Sequence, residues 1–163
     1  YCILIMPDLK RILEIAIKSE IDAAENYKKM ANLTNIFLLR DKLKFLEKEE
    51  IGHKNLLEKL FSKKFPGEKI DLPDESEIPF PEFKIEDKMQ LSDMIKKAME
   101  AEKIASDYYK NMEGELKSEE EKAMARYLSS MEESHYHLLK SELEIAYNFE
   151  LYDEVHEMMH IGP

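Results

Sequence analysis

The stretch from Leu46 to Leu57 reads LEKEEIGHKNLL. Within it Glu50 and His53 stand three residues apart, which places both side chains on one face of a helix. Leu39, Leu43, Leu46, Leu57 and Leu60 continue that face. A carboxylate and an imidazole therefore occupy positions where the helical pattern asks for leucine. One Glu-x-x-His in so glutamate-rich a chain means little, and its ordinary reading is a solvated pair. Glu157 and His160 share the spacing. The surroundings give it meaning, because they repeat. Glu132 and His135 follow Glu50 and His53 at an offset of 82 residues. At the same offset Leu9, Glu20, Ala23, Tyr27, Lys28 and Met30 recur as Leu91, Glu102, Ala105, Tyr109, Lys110 and Met112. The repeated unit is long enough to be a pair of helices.

Outward from this stretch the chain divides readily. Pro7 and Asp8 open a first helix whose apolar stripe is Leu9, Leu13, Ala16, Ala23, Tyr27 and Met30, with Glu20 on it. Asn32 to Asn35 form a short turn, so the second helix, ending near Phe61, packs antiparallel to the first. Residues 62–86 contain Pro66, Gly67, Pro73, Pro79 and Pro81, which forbid one continuous helix. About 25 residues is long for a loop in a compact domain, and a crossover along the bundle accounts for it. The third helix then starts near the same end as the second. It spans roughly Asp87 to Met112 on the stripe Leu91, Ile95, Ala98, Glu102, Ala105, Tyr109 and Met112, and Gly114 ends it. Ser118 and Glu121 make a capping box for the fourth. That helix carries Ala125, Leu128, Glu132, His135, Leu139 and Leu143. A short tail helix is expected from Asp153 to His160. The reading is all-α: one domain over residues 1–163, a four-helix bundle with a long crossover between helices 2 and 3. Its two helix-pair repeats lie at about 8–61 and 87–147, joined by the linker 62–86.

Composition narrows the partners. A net charge of −11 argues against nucleic acid and anionic membrane surfaces. The one cysteine, Cys2, excludes a disulfide framework and a four-cysteine metal site, so a reducing, cytoplasmic setting is expected. The apolar run from Cys2 to Met6 is too short for a membrane span and lacks a charged leader, and Met6 reads as the natural start.

Each of the four stripes carries an acid on the face that should be buried. Four carboxylates in a core are prohibitively costly alone, since desolvating each ion costs several kcal/mol. Two divalent cations would balance their four negative charges, and two neutral imidazoles would complete the ligands without altering the sum. The expected site is therefore Glu20, Glu50, His53, Glu102, Glu132 and His135 around two metals. Tyr27 and Tyr109, two turns beyond Glu20 and Glu102, are placed to hydrogen-bond the carboxylates; packing tyrosines are the plain alternative.

The set Glu20/Tyr27, Glu50/His53, Glu102/Tyr109 and Glu132/His135 resembles the rubrerythrin branch of the ferritin-like di-iron carboxylate superfamily, over about Leu9 to Ala146. The resemblance implies two iron ions, with manganese or zinc as substitutes. It implies that Glu50 and Glu132 bridge them, that Glu20 with His53 completes one site, and that Glu102 with His135 completes the other. It implies an oxidoreductase reducing hydrogen peroxide or oxygen in oxidative-stress defence, and a homodimer. The alternative is a ferroxidase for iron handling or storage. Two departures from the family pattern stand out. The single cysteine leaves no rubredoxin domain in these residues, so an external electron donor such as a rubredoxin is expected. A further ligand glutamate usual in the family falls at Ala105.

One rival motif, His156-Glu157-Met158-Met159-His160, reads H-E-x-x-H, the zinc-protease spacing. Only three residues follow it here and no third ligand is evident, so a surface histidine pair is the preferred reading. His137, two residues past His135, is expected to point away from the site.

Overall fold

The computed structural model describes residues 8–74 and 85–160, with the backbone alone at His160. Expectations placed on residues 1–7, and on Pro79 and Pro81, lie outside the described residues. Four helices account for the architecture: α1, Leu9–Leu33; α2, Phe37–Lys64; α3, Leu91–Glu113; and α4, Glu119–His160. No strand occurs among the described residues.

Helix α1 begins where the Asp8 side chain accepts the Arg11 amide at 2.9 Å, relieving one unpaired helix-start donor. It pairs closely with α2, as α3 does with α4, while α1 faces α3 and α2 faces α4. Lys42 meets Glu142 and Lys64 meets Glu121, so α2 and α4 run antiparallel. The linker explains how α3 comes to run parallel to α2. It leaves α2 through Gly67, whose φ of 79° suits glycine alone. Beside the start of α1, the Asp71 amide donates to Glu14 at 3.0 Å and Arg11 donates to the Asp71 carbonyl at 3.0 Å. It rejoins beside the end of α1, where Lys29 donates to the Ile85 carbonyl at 2.6 Å. Arg11 and Lys29 are separated by about 27 Å of helix, so the described ends of the linker lie near opposite ends of α1, as a crossover connection requires.

The core has two apolar layers. One gathers Leu13, Ala16, Leu57, Phe61, Tyr109 and Leu128; the other gathers Tyr27, Met30, Leu43, Leu46, Ile95 and Leu139. Glu20, Glu50, His53, Glu102, Glu132 and His135 fall between these layers in every helix. The capping box forms as expected, with Glu121 N donating to Ser118 Oγ at 3.2 Å and Ser118 N to Glu121 Oε2 at 3.4 Å.

Three boundaries differ from the sequence reading. Helix α2 runs on to Lys64. Helix α3 starts at Leu91, after a turn in which the Met89 amide donates to the Glu86 carbonyl at 3.1 Å. Its first turn is capped from α4, because Ser92 N and Ser92 Oγ donate to Glu150 at 2.9 and 2.8 Å. The expected separate tail helix is instead the last turns of a 42-residue α4. No glycine or proline interrupts residues 119–160, so nothing ends the helix there.

Candidate metal centre

Each helix delivers its polar residues from the middle of its buried stripe. Glu20 comes from α1, Glu50 and His53 from α2, Glu102 from α3, Glu132 and His135 from α4. All six are at most 4% exposed. His53 Nδ1 lies 2.8 Å from Glu132, 3.1 Å from Glu50 and 3.7 Å from Glu20. His135 Nδ1 lies 3.0 Å from Glu50, 3.5 Å from Glu102 and 3.6 Å from Glu132. The six side chains thus form two overlapping groups of potential ligand atoms, each within 4.8 Å: Glu20, Glu50, His53, Glu132, and Glu50, Glu102, Glu132, His135. Glu50 and Glu132 belong to both.

The donor atoms crowd together without satisfying one another. Glu50 Oε1, Glu132 Oε1, His135 Nδ1 and both Nε2 atoms are buried with no hydrogen-bond partner among the described residues. The 3.0 Å approach of His135 Nδ1 to Glu50 is therefore not aligned as a hydrogen bond. Buried polar atoms are otherwise nearly always paired. A nest of carboxylate oxygens and imidazole nitrogens, close but misaligned, fits divalent transition-metal ions.

The electrostatics of the protein groups alone show how strained the nest is. Burial, then the charges of Glu132 and Glu50, push the Glu20 carboxyl well above its ordinary 4.5. Burial, then Glu50 and Glu132, do the same to Glu102. Burial also opposes ionisation of Glu50 and Glu132, but the adjacent histidine nitrogens at Glu50, and Glu102 with the histidine nitrogens at Glu132, outweigh it and hold both low. Burial disfavours the imidazolium of His135, yet Glu102, Glu132 and Glu50 push it up to about 12. His53 is raised likewise, chiefly through Glu132 and Glu20. Glu50 and Glu132, held low, thus stand among four groups that hold their protons more tightly than usual.

The tyrosines reach the nest, with their partners exchanged. Tyr27 hydrogen-bonds Glu102, and Tyr109 hydrogen-bonds Glu20. Two turns of one helix span about 10.5 Å, too far for a phenol to bond the carboxylate of its own helix. Because α1 and α3 run antiparallel, each tyrosine meets the other's glutamate. Burial, then the adjacent carboxylate, raises both phenols well above 10.0, so both stay protonated donors.

Other residues sort as follows. Ala105 is partly buried against the layer around Tyr109 and offers no donor atom. His137 is exposed. His156 and Glu157 are exposed on the last turns of α4, and no group of potential metal ligands among the described residues includes them. The apolar stripes concealed Ser106 and Ser129, each of whose hydroxyls donates to the other's carbonyl at 3.0 Å, tying α3 to α4. They also concealed Glu49, whose carboxylate lies within 4.8 Å of nitrogens of His53 and His135. Its position one turn before His53 was the available signal; the repeat hides it, because Met131 stands at the offset position.

An all-α bundle with a crossover between α2 and α3 and four inward glutamates is a ferritin-like fold. The sequence profile of the Rubrerythrin family matches residues 11–143, and the chain belongs to that family. Its structure is similar to that of a hypothetical protein from Pyrococcus furiosus, with a TM-score of 0.77 and 39% identity. The match covers 87% of this chain and 92% of that one. No curated protein matches. No helix among the described residues is long and apolar enough to cross a membrane.

Proposed function

We propose that the chain is a di-iron carboxylate oxidoreductase that reduces hydrogen peroxide or oxygen, with electrons from an external donor such as a rubredoxin. The observation carrying this reading is that Glu50 and Glu132 belong to both ligand groups, as bridging carboxylates must. Two iron ions bound there would supply two electrons in all, which together with two protons convert one hydrogen peroxide to two waters. Glu20 with His53, and Glu102 with His135, complete the two ligand sets. Tyr109 and Tyr27 hold Glu20 and Glu102 in place from behind. The apolar layers above and below keep bulk water from the nest. These residues contain one cysteine, so the electron donor in this reading is a separate four-cysteine iron centre.

The test is metal content and turnover on protein from its own source. About two iron ions per chain are expected, with peroxide consumed only when a reductant is present. A single bound metal sinks the reading. Rapid oxidation of ferrous iron with release or storage of the ferric product, and no sustained peroxide consumption, would mark a ferroxidase instead. Ala105 sharpens the test. A carboxylate one turn past Glu102 would add a ligand on the same face, so Ala105→Glu should alter the preference between peroxide and oxygen.

A further inference from the structure

The six nest residues are almost wholly buried, so a cation reaching them must pass the outer wall of the bundle. Glu49 stands on that wall. It is half-buried, and as residue i−4 to His53 it lies on the same side of α2. One of its oxygens and one ring nitrogen each from His53 and His135 lie within 4.8 Å of one another. The two rings are stacked at 5.5 Å with 14° between their planes, so one ion can be reached from both. Both Nδ1 atoms face the inner carboxylates, while both Nε2 atoms are buried without a hydrogen-bond partner among the described residues. Each imidazole therefore keeps a second nitrogen that the nest does not engage and that can take a cation once its proton is released.

We propose that Glu49, His53 and His135 form an outer site through which a divalent transition-metal ion enters the nest; this rests on the reading that the nest binds metal. One carboxylate and two imidazoles suit such an ion, and three protein ligands leave positions open for water. That combination fits a cation in passage, shedding its hydration in stages. Glu49 supplies the negative charge that draws the ion in. Tyr127, half-exposed and edge-on to His53 at 6.5 Å, flanks the same imidazole. The repeat makes the point sharper. Every nest residue has its counterpart 82 positions away, but the counterpart of Glu49 is Met131, which offers neither nitrogen nor oxygen. The bundle has a duplicated nest and an unduplicated inlet.

The test follows Co²⁺ filling the metal-free full chain by its visible absorption after rapid mixing. Glu49→Gln keeps the shape and removes the charge. It should slow filling about tenfold, in line with the loss of local electrostatic attraction, while the chain still takes up two ions. Glu49→Asp should fill faster than Glu49→Gln. Filling of Glu49→Gln at the parent rate overturns the inlet. So does a final uptake below two, which would make Glu49 part of the resting site, and so does equal slowing by Asp and Gln. If the parent chain itself takes up no Co²⁺, the metal-binding reading beneath this inference fails instead.

Discussion

The α1–α2 pair and the α3–α4 pair are two versions of one unit, and their differences are as informative as their likeness. Both bring Glu, Tyr and Glu-x-x-His to the middle of the bundle. They diverge around that constellation. The first pair has Ala24, Glu49 and Gly52 where the second has Ser106, Met131 and Ser134. The second pair is tied by reciprocal Ser106 and Ser129 hydrogen bonds, whereas the first is strapped by the crossover at Glu14. The constraint shared by both halves is the balance of charge in a buried nest. Each half meets its own packing demands separately.

The largest expected effect breaks the equivalence between bridging and terminal glutamates. Glu50→Ala should weaken both bound metals by more than about 100-fold, exceeding the 10–100-fold typical of residues behind the ligands. Glu20→Ala should remove mainly one. Titration by calorimetry distinguishes them, and equal losses would contradict the shared role of Glu50.

Proton linkage comes next. In the metal-free chain His53 and His135 are raised above 6.5, and Glu20 and Glu102 above 4.5. Groups raised by folding stabilise the folded chain below their unfolded values, and that stability is lost as pH rises through the folded values. Within the nest Glu50 and Glu132, held low, act oppositely, and only below 4.5. Melting temperature of the metal-free chain should therefore fall between about pH 6 and pH 10. At neutral pH, uptake of two cations should release protons, because the ligand atoms must be deprotonated to bind. Release near zero would show that the nest is already deprotonated.

The exchange of tyrosines between halves gives a finer test. Tyr27→Phe should weaken the metal held by Glu102 and His135, and Tyr109→Phe the metal held by Glu20 and His53, each about tenfold. Site-resolved spectra of Co²⁺-loaded variants would show the crossing, and effects on the opposite sites would refute it.

The smallest effects lie away from the nest. Glu150→Ala removes the carboxylate capping α3 and should cost about 1 kcal/mol in chemical denaturation. The first pair has no corresponding debt, since Asp8 caps α1 locally. At Gly52, in mid-helix, an added Cβ meets nothing within 4 Å. Gly52→Ala should therefore stabilise by about 0.5–1 kcal/mol, and a loss would show hidden crowding beside His53.

The amino-acid order alone determined the helical stripes, the repeat at 82 residues, the two turn signals and the six residues gathered in the nest. Those features follow from local periodicity and from the cost of burying charge, which are written along each helix. Tertiary structure decided what depends on which helices meet and in which direction. Antiparallel α1 and α3 hand Tyr27 to Glu102 and Tyr109 to Glu20. Glu150 caps a helix start 58 residues before it in the chain. Glu49 joins two histidines from different helices. Helix α4 runs unbroken through its last turns, where a short separate tail helix was expected. The exchanged tyrosines and the Glu150 cap have no signature within one helix, because each is a contact between side chains that only the packing of the bundle brings together.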